Sequence, residues 1–88
     1  MNALLVEFVG TVFFLYVILY TGEPIPIAIA LAVAIMFGAP ISGGNFNPAV
    51  SLMMARAGKL PMNKLLPYIV VQLLGGLVAL NLYRHTRK

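Results

Sequence analysis

The sequence predicts an all-α membrane protein built from three transmembrane helices and one re-entrant half helix. Three observations predict it. The 88-residue chain is 61% hydrophobic and 9% charged, more apolar surface than so short a soluble chain could hide in its own core. Its apolar residues gather in three long runs, at about 3–20, 25–39 and 64–83. Between the second and third runs, Asn47-Pro48 carries the start signals of a short helix at about 48–57. No run alternates with period two, so strands are not expected, and open sheet edges cannot face lipid. The chain reads as a single domain, 1–88.

The first run carries one charge, Glu7, near its start. A cleaved signal peptide has a basic leading region and a short apolar core. Here the leading region is uncharged and the run is long, so cleavage is not expected. Thr21-Gly22-Glu23-Pro24 makes a turn. The second run is uncharged, and Pro26 suits its first turn. Residues 40–46 form a Gly-rich loop ahead of the half helix. Asn47 is a good N-cap, because its side-chain oxygen can accept from the amides that a first turn leaves unpaired. Pro48 fits the first helical position, Val50 to Ala57 continue the helix, and Gly58 is placed to end it. Such a helix is roughly 15 Å long, half of a ~30 Å hydrocarbon core. The third run follows a connection at 58–63 and is long enough to span, with Pro67 in its first turn. Gly10, Gly38, Ala39, Gly75 and Gly76 permit the close helix approach that drives association in lipid. For Gly75 and Gly76, ordinary packing accounts for them as well as any specific role does.

The basic residues Arg56, Lys59, Lys64, Arg84, Arg87 and Lys88 outnumber Glu7 and Glu23, for a net charge of +4. They follow apolar runs and lack an aromatic or groove-reading context. They therefore read as membrane-edge anchors, not as nucleic-acid contacts. Tyr16, Tyr20 and Tyr83, and Tyr68 with them, fit an interfacial aromatic belt. Without cysteine there is no disulfide framework and no thiolate site. His85 is alone in a basic tail with no acid beside it. With no catalytic constellation the chain does not read as an enzyme, and no metal or cofactor is expected.

The half helix has a consequence for charge. Its N-terminus carries roughly half an elementary positive charge near the membrane midplane, where screening is poor. With the Asn47 amide it offers donors to neutral polar solutes and repels cations, hydronium included. Glu7 is the acid inside a span, and such a residue is a functional hypothesis by default. In one reading it is the proton-coupling carboxylate of a small dual-topology transporter. In the other it accepts hydrogen bonds from backbone N–H groups of the loop before the half helix.

Asn47-Pro48-Ala49, preceded by Ser42-Gly43 and followed by Val50, resembles the signature loop of the major intrinsic protein family, the aquaporins and aquaglyceroporins. Glu7-Phe8-Val9-Gly10-Thr11 is similar to that family's first-helix pattern, Glu-x-x-Gly-Thr, and Gln72-Leu73-Leu74-Gly75 to its third-helix Gln-x-x-Gly. The three together cover almost the whole chain. The family fold has two inverted repeats, each with three spans and a half helix, and the half helices meet at the middle of one pore. This chain resembles the first repeat, half of an aquaporin-like fold.

That resemblance implies a passive channel for water and small neutral solutes such as glycerol, with Asn47, Pro48 and Ala49 at the half-helix tip. It favours a supporting role for Glu7 and Gln72 beneath the loop. The positions matching the family's filter are Ile27, Ile35, Gly44 and Val50. Val50 stands where the family's second motif usually has Arg, so the expected lining is wider and more apolar than a water-only filter. Asn45 stands where many relatives carry His, so a pH-sensitive loop is not implied.

One repeat supplies one half helix, so its counterpart is expected from another chain. Arg56, Lys59 and Lys64 lie on one side of the membrane, and Arg84, Arg87 and Lys88 on the other, which favours neither orientation. The expected partner is an antiparallel copy, related by a two-fold axis in the membrane plane. The family's usual four pores then imply eight chains. Three alternatives stand beside this: one half of a heteromeric channel, a dual-topology transporter using Glu7, and a non-conducting remnant or assembly regulator.

Overall fold

The computed structural model describes residues 2–87, so Lys88, counted above among the basic residues, lies outside the described residues. The described chain forms four helices in the order α1 (Ala3–Thr21), α2 (Pro24–Ser42), α3 (Pro48–Arg56) and α4 (Met62–Thr86). Helices α1, α2 and α4 are long and apolar enough to cross a membrane. Helix α3 has nine residues and a length of roughly 14 Å.

The ends of the helices follow from cap chemistry. Asn2 starts α1 by accepting from the amide of Leu5 at 2.8 Å. Gly22, with φ 59°, ends it in the left-handed conformation and donates its N–H to Ile18 O. Pro24 and Pro26 occupy the first turn of α2, where no intrahelical donor is needed. At the end of α2 the expected stop at residue 39 is corrected. The helix runs through Pro40 to Ser42, and Gly43 caps it by donating to Ala39 O at 3.0 Å. Pro40 removes one intrahelical donor and lies exposed on the helix. Continuing the helix also places Ser42 beside Glu7.

Helix α3 ends one residue earlier than expected, at Arg56. Ala57 donates to Met53 O, and Gly58 follows in the left-handed conformation at φ 78°. Helix α4 is longer than expected at both ends, with 25 residues. Pro67 is therefore in its second turn, and Arg84 and His85 belong to its last turn instead of to a tail. The His85 ring nitrogen Nδ1 lies 2.8 Å from Asn81 O. Tyr16 and Tyr20 stack at 5.7 Å, Tyr16 bonds Thr86, and Arg87 lies over the Tyr83 ring, all at this end of the bundle.

Helix α1 stands between α2 and α4, and α3 lies against α4. The seams are lined at helical spacing, by small residues along α2 and by a mixture of large and small ones along α4. Helix α2 buries Ala30, Ala34, Gly38 and Ser42, and α4 buries Tyr68, Gln72, Gly75 and Ala79. At Gly75 an added Cβ would sit 3.0 Å from Thr11 Cβ and 3.2 Å from Phe8 O, so α1 and α4 touch almost backbone to backbone. Gly76 is less constrained, since its Cβ would meet only the flexible end of Leu15. Ala55, Leu60 and Tyr68 form a second cluster that fixes the end of α3 to the start of α4.

Gly75→Val should therefore weaken the bundle by about 1–3 kcal/mol through overpacking. Gly76→Ala should stay within about 0.5 kcal/mol of the parent. Unfolding in mixed detergent micelles measures both, and equal losses at the two glycines would contradict the seam.

Candidate functional site

The site grows from a five-residue connection, Gly43 to Asn47, that folds back onto the bundle. Gly43 and Gly44 take positive φ values of 92° and 65°, which turn the chain sharply after α2. Gly44 is buried, and a Cβ there would lie 3.4 Å from the Cα atoms of Ala39 and Ile35. Phe46 also has a positive φ, 54°.

Glu7 lies under this turn and is fully buried. Its Oε2 accepts from Ser42 Oγ at 2.6 Å and from the Asn45 amide at 3.1 Å. Its Oε1 accepts from the Phe46 amide at 2.8 Å and from Gln72 Nε2 at 2.9 Å. An ionised carboxylate is an acceptor-only group, and here α2, the loop and α4 all supply donors to it. Gln72 Nε2 also donates to Ser51 Oγ at 2.7 Å, and Asn45 Nδ2 reaches the same hydroxyl at 3.2 Å. Tyr68 donates its hydroxyl to Ser42 O at 2.8 Å. The network thus joins all four helices through one loop. Among the described residues, Thr11 Oγ1 and Gln72 Oε1 are buried with no hydrogen-bond partner.

Beyond this network the half helix begins. Asn47 Oδ1 accepts from Ala49 N at 2.7 Å and from Val50 N at 3.4 Å. Asn47 is exposed, and its NH₂ group has no acceptor among the described residues. Arg56 in the last turn places a cation at the negative end of the helix dipole.

Glu7 and Gln72 are thus in contact beneath the loop, and Asn47, Pro48 and Ala49 are at its tip. Of the lining candidates, Ile35 is exposed, Val50 and Ile27 are half-buried, and Gly44 is buried against the backbone at Ile35. Ile27 is eight residues from Ile35 along α2, roughly 12 Å. Gly10 and Gly38 both face the ring of Phe46.

Tyr68 is corrected from the aromatic belt: it is 3% exposed and holds the end of α2. Ser42, Asn45, Phe46 and Ser51 had no assigned place in the site. For Ser42, Asn45 and Ser51 the signal is their chemistry, small polar side chains in an apolar chain, which require internal partners in lipid, whereas Phe46 carries no such signal.

Glu7→Gln keeps the size of the side chain but turns one acceptor oxygen into a donor that faces donors. It should cost about 2–3 kcal/mol in micelle unfolding relative to the parent. Unchanged stability in that variant would overturn the supporting role of the carboxylate.

The profile of the major intrinsic proteins matches residues 1–88. A stretch of 39 residues is 59% identical to aquaporin Z of Brucella melitensis, covering 44% of this chain and 17% of that protein. Aquaporin TIP1-2 of Zea mays is 50% identical over 52 residues, 59% of this chain and 20% of that one. Aquaporin-10 of Homo sapiens is 46% identical over 52 residues, 59% of this chain and 17% of that one. The matched stretches span about a fifth or less of the length of these relatives. No solved structure matches the chain. With three helices of spanning length around a half helix, and a family match over residues 1–88, this chain belongs to the major intrinsic protein family and is an integral membrane protein.

Proposed function

We propose that this chain forms half of a passive channel for water and small neutral solutes such as glycerol, completed by an antiparallel copy of itself. The observation that carries the reading is the half helix α3. It begins at Asn47 with an exposed NH₂ group that has no acceptor among the described residues, and with the positive end of a helix dipole. Such a tip donates to neutral solutes and disfavours cations. The relatives named above are aquaporins by name, which supports a channel of that kind.

Two further features support the details. Glu7 is fully buried, and protein donors occupy both of its oxygens, which favours passive flow over proton coupling. Basic residues are balanced between the two ends, which suits insertion in both orientations. Two antiparallel copies would bring two half-helix tips together at one midplane, and four such pairs would make eight chains. With Val50 in place of an Arg, and Ile27, Ile35 and Gly44 as the other lining positions, the filter would be broad and apolar.

Proteoliposomes made from the purified chain alone should swell faster than empty vesicles in both water and glycerol gradients, and the chain should run as an even-numbered oligomer. Asn47→Asp retains the cap acceptor and removes the NH₂ donors, so the fold should persist while flux falls about tenfold, the equivalent of ~1.4 kcal/mol. A silent parent chain would overturn the self-paired pore and point to a different second half. Cysteine introduced at Arg87 should label from both sides of the membrane; labelling from one side only would exclude dual insertion.

A further inference from the structure

The ring of Phe46 occupies a slot that two helices leave open for it. A Cβ added at Gly10 of α1 would lie 2.2 Å from ring Cε1, and one added at Gly38 of α2 would lie 2.7 Å from Cζ. Neither position can take a larger residue while the ring stays in place. Val6 and Ala34 pack around the ring, and Phe46 is 3% exposed.

The backbone at Phe46 is unusual as well. Among the described residues it is the one non-glycine with a positive φ. A bulky side chain holds that conformation only where its surroundings over-determine it. Here the amide is held by Glu7 Oε1 at 2.8 Å and the ring is held by the slot. Asn47, the next residue, has no such tie. The hydrogen bonds of its side chain stay within α3, to Ala49 and Val50. On the loop side, the Phe46 ring is therefore the last anchor to another helix before the tip.

We infer that Phe46 is a positioning residue: its ring, seated between Gly10 and Gly38, sets the depth and tilt at which Asn47 meets the passing solute, and so tunes the balance between water and glycerol. This rests on the proposed pore. It concerns a residue that touches no solute itself and acts through Asn47.

The test is a size-compensation cycle. The parent, Gly10→Ala, Phe46→Leu and the double variant are placed in proteoliposomes for water and glycerol flux. The same four are placed in nanodiscs for the ¹⁵N–¹H resonance of the Asn47 side-chain amide. Gly10→Ala should shift the glycerol-to-water ratio by about fivefold, within the coupling range of residues in contact, and should move the Asn47 resonance. Phe46→Leu in the same chain should return both towards the parent.

An unchanged ratio and resonance in a folded Gly10→Ala protein would overturn the inference, as would a double variant that restores neither. Should the parent conduct nothing, the proposed pore fails, and the Asn47 resonance alone decides the role of Phe46. Should Gly10→Ala fail to fold, Phe46→Leu decides it, because a smaller side chain frees the slot. A resonance that stays in place in that variant overturns the inference.

Discussion

The structure depends on the carboxylate of Glu7. A carboxyl group inside a membrane bundle is costly unless hydrogen-bond donors replace the water it has lost. Four do so here: a serine hydroxyl from the end of α2, two loop amides, and the amide group of Gln72 on α4. Two of the four are backbone N–H groups, which no rotamer can turn away. The loop therefore has one place to lie, and everything after it inherits that placement. Ser51 extends the constraint into the half helix by accepting from Gln72 and Asn45.

This arrangement reverses the usual distribution of side chains. The largest fully buried side chains are Gln72, Glu7, Thr11 and Ser51, all of them polar. Large apolar residues face outward, with Met36 at 74% and Phe37 at 79% exposure. In a bilayer this is consistent physics. Lipid tails solvate Phe and Met as well as a core would, so helices gain little by burying them. Close packing through Gly75, Ala34 and Ala79, together with polar bonds that lipid cannot supply, holds the bundle together instead.

The parts of this design that rest on neighbouring residues were legible in the sequence. Asn47-Pro48 could be read as a helix start because cap chemistry is local, and the three spans because apolar length alone marks them. The errors occurred where a distant partner decides. Pro40 reads as a stop, yet α2 runs past it to a capping glycine and a serine bonded to Glu7, 35 residues away. Tyr68 reads as an interfacial ring because its partner, the carbonyl of Ser42, is 26 residues upstream. Phe46 gave no local signal. Its place is set by the absence of side chains at Gly10 and Gly38, and no single stretch of sequence contains that slot.

Chain order gives the Glu7 network a temporal side. Glu7 lies on the first helix, while Ser42, Phe46 and Gln72 follow it by 35, 39 and 65 residues. During synthesis α1 is complete long before any of these donors exists. Through that interval the carboxyl group must take its hydrogen bonds from something other than these residues. The set of donors around Glu7 is therefore complete only once the final helix, which carries Gln72, has been made.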